Sequence, residues 1–115
     1  MKQIISLKNN KEFKQVYNHR VSFANRLLIM YIRDNKLDHH RLGISISKKV
    51  GNSVVRHGFC RLVRESFRLN KTSIKGHYDI VVIARDNAKD KRYHEIESAF
   101  IHLLKLHKIY ETRQE

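Results

Sequence analysis

Arg41-Leu-Gly-Ile-Ser-Ile-Ser-Lys-Lys-Val-Gly-Asn-Ser-Val-Val-Arg56 is the stretch whose reading decides the fold. Leu42, Ile44 and Ile46 alternate with Gly43, Ser45 and Ser47, the period-two pattern of a half-buried strand. The polar members are tiny, so the pattern predicts an exposed face with room for something to approach the sheet. Lys48–Gly51 reads as a basic turn, and Gly51, lacking a side chain, allows a tight turn and close backbone approach. Asn52 or Ser53 then caps a long helix that reaches Leu69. The free N–H groups and positive dipole end of that helix form a natural phosphate site. Asn52 could cap the helix, contact a phosphate or base, or do both.

Advancing each residue by about 100° with Arg56 at zero places Arg64 near 80°, Arg68 near 120° and Arg61 near 140°. Val55, Phe59, Leu62, Val63 and Ser66 fall on the opposite side, with Phe67 at the boundary. The helix thus has an apolar face for a core and an arginine face for solvent or a partner. Within it only Glu65 and the C-terminal dipole offset the like charges. Solvated surfaces usually interleave both signs, so the one-sided face points to a polyanion. Arginine suits phosphate, because its planar fork binds bidentately and stacks on bases.

Outward from this segment, Lys11–Asn18 carries Phe13, Val16 and Tyr17 at helical spacing behind Asn9 and Asn10 as caps. A short strand is expected near Ser22, and the apolar run Leu27–Ile32 reads as another. Tyr78–Ala84, with Ile80, Val81, Val82 and Ile83, is a central strand covered on both faces. Tyr93–Ile109 is a helix whose buried stripe is Ile96, Ala99, Phe100, Leu103 and Leu104. The order α-β-β-β-α-β-α predicts an α+β class: a single two-layer α-β sandwich with three helices on a small, mostly antiparallel sheet. Residues 1–115 make one domain with ends 1–6 and 111–115 frayed.

The 115 residues carry 24 Lys and Arg against 11 Asp and Glu, a formal charge of +13. Such a charge opposes compaction by self-repulsion, and a polyanion relieves it. Nucleic acid is the first candidate and an anionic membrane surface the second. One cysteine, Cys60, excludes an internal disulfide and fits a reducing cytosol. No run of 18 apolar residues exists, so no spanning helix is expected.

The quoted stretch, continued by Arg61-Leu-Val-Arg-Glu-Ser-Phe-Arg68, resembles the protein subunit of bacterial ribonuclease P. The similarity extends to Glu12-Phe-Lys-Gln-Val-Tyr17, Ser22-Phe-Ala-Asn-Arg26, Tyr31 and Asp79-Ile-Val-Val-Ile-Ala-Arg85, covering nearly the whole chain. The resemblance implies a cytoplasmic ribonucleoprotein that removes the 5′ leader from precursor tRNA. It implies that the RNA subunit carries the chemistry with bound Mg2+, and that the protein alone binds no metal and is inactive. By position, Lys48, Lys49, Asn52, Arg56, Arg61, Arg64 and Arg68 would contact the catalytic RNA. Phe13, Tyr17 and Tyr31, with Ser45 and Ser47 beside them, would line a cleft for the single-stranded leader, where bases stack on aromatic rings. From periodicity alone, Phe13 and Tyr17 read as a core-packed face. The family fold also implies a left-handed crossover through the basic helix, opposite to the usual handedness. The implied partners are the catalytic RNA and the precursor tRNA leader, with neither DNA nor membrane.

The chain departs from the family pattern at His57, Gly58, Phe59 and Cys60, where two commonly basic positions are lost. Gly58 costs a helix about 1 kcal/mol relative to alanine. His39 and His40 near Asp34 and Asp38 lack the spacing of a zinc site, and His102 and His107 miss the i, i+4 face. The acids Asp34, Asp38, Asp79, Asp86 and Asp90 are scattered and form no two-metal pair. Two other classes compete: a structural rRNA-binding or RNA-chaperone protein using the same basic face, and a nuclease in its own right.

Overall fold

A computed structural model describes residues 4–111. The helices are α1 (Asn10–His19), α2 (Ser53–Asn70) and α3 (Tyr93–Leu106), and the strands β1 (Ser22–Ala24), β2 (Leu28–Asp34), β3 (Arg41–Ser45) and β4 (Tyr78–Ala84). The sheet order is β1-β2-β4-β3. β1 pairs antiparallel with β2 and β2 with β4, whereas β3 lies parallel to β4. The class is α+β with a mixed sheet, and α2 forms the crossover between the parallel pair.

The continuous apolar run of β4 follows from its central position between two strands and two covered faces. Ile80 and Val82 face α2 and α3, packing with Leu28, Met30, Phe59, Val63, Phe67, Ile96, Phe100, Leu103 and Leu104. Val81 faces the other way, against Leu7 and Val16, with Phe13, Tyr17, Tyr31 and Ile83 around them. The sheet with α2 and α3 makes the main two layers, and α1 adds a partial cover over part of the opposite face. Phe100 is wholly buried; its truncation to alanine would cost about 3–5 kcal/mol.

Element ends have local causes. The Asn9 side chain accepts from the Glu12 N–H to start α1, and Arg20 in the left-handed region ends it. α3 stops at Leu106, short of the expected Ile109, because Lys108 turns with φ 63°. Beyond that turn the chain folds back and buries Ile109. The 4–6 segment, expected to fray, is docked on the sheet: Leu42 N–H donates to Ile5 O and Leu7 N–H to Leu42 O. Glu111 is likewise held by its N–H to Ser73 O. The remaining expected frayed positions, 1–3 and 112–115, lie outside the described residues.

Candidate nucleic-acid interface

The head of α2 is built by its turn. Val50 N–H donates to Ser47 O at 3.1 Å, and Lys49 N–H to Ser47 Oγ at 3.0 Å. A Cβ on Gly51 would lie 2.5 Å from Val55 Cγ1, so no larger residue fits this entry into the helix unless Val55 shifts. Asn52 Oδ1 accepts from the Val55 N–H at 3.1 Å, which makes it a helix cap and leaves its amide N–H groups to donate elsewhere. No acidic residue sits in the first turn of α2. The positive end of the helix is therefore undiluted, with Lys48 and Lys49 exposed beside it.

Arg61, Arg64 and Arg68 are exposed along the helix. Arg68 Nε donates to Glu65 Oε1 at 2.9 Å, so one of the three is already paired. Arg61 and Arg64 have no carboxylate within salt-bridge distance among the described residues. Arg56 differs from them: it is half-buried, and its Nε is buried with no hydrogen-bond partner. The buried face of α2 is Phe59, Val63, Ser66, Phe67 and Asn70. Phe67 thus lies inside the core rather than at its boundary. The same rotation of the core face brings Arg56 to its margin. Between Arg56 and Arg64, burial pushes the Cys60 thiol up against the pull of both guanidinium groups, so it stays a thiol at neutral pH.

Across the sheet, the α1 face is organised in rows by strand register. Arg33, Asp79 and Arg41 form the first row, Tyr31, Val81 and Gly43 the second, and Ile29, Ile83 and Ser45 the third. The first row is ionic. Asp79 is fully buried and accepts from Arg41 Nε and Nη2 at 2.8 Å each, from Asn35 at 2.9 Å and from Arg33 at 3.2 Å. Arg41 Nη1 also donates to Glu12 of α1 at 2.9 Å. The second row is aromatic. The Phe13 ring would lie 2.8 Å from a Cβ on Gly43, so the space left by the small residue is filled from above. The expected open face is closed at this row.

Tyr17 meets Tyr31 edge-on at 5.0 Å and Phe13 at 6.4 Å between centroids. Burial pushes the Tyr17 hydroxyl up, keeping it protonated as a donor. The third row is half-buried and is more accessible than the second. Of the expected cleft residues, Phe13, Tyr17, Tyr31 and Ser45 come together on this face. Ser47 is exposed and its hydroxyl serves the turn before α2.

The Glu12–Arg41–Asp79–Arg33 network is not apparent from sequence spacing. Its one visible signal was an aspartate opening an otherwise apolar run. Among the described residues no group of three or more His, Cys, Asp or Glu could hold a metal, and no helix is long and apolar enough to cross a membrane.

A sequence model of the family Ribonuclease P matches residues 1–108. The chain belongs to the ribonuclease P protein family. It is 54% identical over 109 residues to the ribonuclease P protein component of Lachnoclostridium phytofermentans, covering 95% of this chain and 94% of that one. It is 52% identical over 103 residues to the component from Alkaliphilus metalliredigens, covering 90% and 93%. Among solved structures, the RNase P protein of Staphylococcus aureus aligns with a TM-score of 0.86 at 41% identity, covering 95% of this chain and 100% of that one. The RNase P protein of Thermotoga maritima aligns at 0.81 and 30% identity, covering 88% and 96%. This chain is a ribonuclease P protein subunit, and its role is in tRNA processing.

Proposed function

We propose that α2 binds the catalytic RNA of ribonuclease P while the α1 face of the sheet holds the single-stranded 5′ leader of precursor tRNA. The observation that carries this reading is the unneutralised cationic stripe of Lys48, Lys49, Arg61 and Arg64 at the exposed head and flank of α2. Asn52 extends it with amide N–H groups free for a phosphate, and the half-buried Arg56 guanidinium lies at its edge. Arg68 joins by exchanging Glu65 for phosphate. On the other face, Phe13, Tyr17 and Tyr31 supply ring surfaces and Ser45 a hydroxyl, which suits sequence-tolerant binding of unpaired bases. The hydrolysis is carried by the RNA with its Mg2+, and the protein contributes binding in the cytoplasm, without DNA or membrane partners.

Reconstitution tests this. The protein alone should not cleave precursor tRNA, and added to the cognate catalytic RNA it should promote 5′ processing at low Mg2+. Absence of stimulation would sink the reading. For the leader, Tyr31→Ala should weaken binding of leader-bearing precursor more than of mature tRNA, and equal losses would remove the cleft assignment.

A further inference from the structure

We propose that a groove on the flank of α2, centred on Gly58, takes one unstacked nucleobase of the catalytic RNA; this rests on the reading of α2 as the RNA-binding helix. The groove has a volume of about 560 Å³ and an apolar floor that includes Ile46, Val50, Val55 and Leu62. That is within the range of sites that enclose a small organic group, roughly 300–1,000 Å³. Gly58 opens it. Nothing lies within 4 Å of the position a Cβ would take there, so the space above the helix backbone is empty. Val54, at the mouth, is 78% exposed, an apolar side chain set on the same helix as the exposed Arg61, Arg64 and Arg68.

The rim says what fits. Arg61, Lys89 and Lys91 stand around the opening, facing Glu65 and Asp90. None of the three cations has a carboxylate within salt-bridge distance among the described residues, and Glu65 is held by Arg68. A flat, weakly polar body bearing a negative charge on either side matches this arrangement. A nucleotide of a single-stranded RNA segment has that form: the base enters the apolar floor and its flanking phosphates meet the rim. The groove borders Arg61, so one RNA strand can engage both.

Gly58→Leu fills the groove and tests the assignment with full-length protein and cognate catalytic RNA across a range of salt. Because leucine favours helix over glycine, the variant should melt at or above the wild-type temperature. Its affinity for the RNA should nonetheless fall by about tenfold, the scale of losing one stacked or enclosed base. The salt slope should not change, since no phosphate contact is removed. One nucleotide protected from base-directed chemical modification in the wild-type complex should become reactive in the variant complex.

Val54→Asn, at the exposed mouth, should weaken binding in the same salt-independent way without touching the core. Unchanged affinity in both variants would overturn the groove assignment, as would a loss that alters the salt slope or exposes no single base. Arg61→Ala run in parallel separates the two readings. If it lowers the salt slope while the groove variants are silent, only the groove fails; if all three are silent, the RNA face on α2 fails too.

Discussion

Arg41 holds Asp79 through two parallel hydrogen bonds, Nε to Oδ1 and Nη2 to Oδ2, each 2.8 Å long. The two residues are direct partners across the parallel β3–β4 pair. This is the fork geometry in which a guanidinium and a carboxylate bind most strongly. Burial alone would raise the Asp79 pKa, but donation from Arg41 and Asn35 and the charge of Arg33 outweigh it and hold the carboxyl below its ordinary value. Through its remaining amino group Arg41 also reaches Glu12, so a single guanidinium joins α1 to two strands.

Arg41→Ala should therefore destabilise the protein by about 3–5 kcal/mol, because it strips the main counter-charge from a buried carboxylate. Urea unfolding measures this, and a midpoint within error of wild type would show that Arg33 and Asn35 suffice. The pH dependence follows the sign of the shift. Asp79 is ionised more readily in the folded state, so its contribution is present above the unfolded value of about 3.9 and is lost as pH falls through the lower folded value.

A second loss of stability should appear nearer neutrality. Burial lowers the pKa of both His40 and His107. His40 Nδ1 accepts the Tyr78 N–H at 3.0 Å, a bond that only the neutral ring can make. The unfolded chain takes up these protons first, at about pH 6.5, so stability is full above that value and declines as pH falls toward the folded values. Denaturant midpoints at pH 7.5, 6.5 and 5.5 should decrease in that order, and His40→Gln should flatten the trend. A flat wild-type profile would remove both histidines from the account.

Gly43→Ala should act selectively on the surface proposed to hold the leader. The new methyl would lie 2.8 Å from the Phe13 ring and 2.9 Å from the Leu7 side chain, so the ring must shift. Affinity for leader-bearing precursor should drop several-fold, while affinity for the catalytic RNA stays within about twofold, since the α2 contacts are untouched. Equal losses on both RNAs would place the two surfaces in one site.

Arg64→Ala and Arg68→Ala should differ in their effect on catalytic-RNA binding. Arg64 is free to meet phosphate, whereas Arg68 must first leave Glu65. Removal of a phosphate contact lowers the salt slope by about one. Arg64→Ala should show that decrease and Arg68→Ala a smaller one. Identical slopes would mean that the Glu65 pairing is immaterial in the complex.

The sequence made some of this legible and hid the rest for physical reasons. β4 was readable because four consecutive apolar residues have no other economical place than between two covered faces. The alternation of Leu42, Ile44 and Ile46 announced β3, and the cationic flank of α2 followed from angular spacing alone. What lies over a given residue is a long-range fact, however. The tiny Gly43 looked like open space, yet Phe13, thirty positions earlier, fills it. Phe67 looked marginal on the wheel because the core's direction depends on where α3 packs. Arg41 looked like part of the cationic surplus until Asp79 was brought beside it.

The strand order carries a consequence for synthesis of the chain. β4, the last strand made, lies between β2 and β3. Before Ala84 leaves the ribosome, β3 has no partner among the four strands and α2 has no complete apolar surface to rest on. Until then α2 is a cationic helix without the tertiary packing from which most helical stability comes. The central placement of a late strand makes closure of the sheet the event that orders α2 and sets its cationic flank in place.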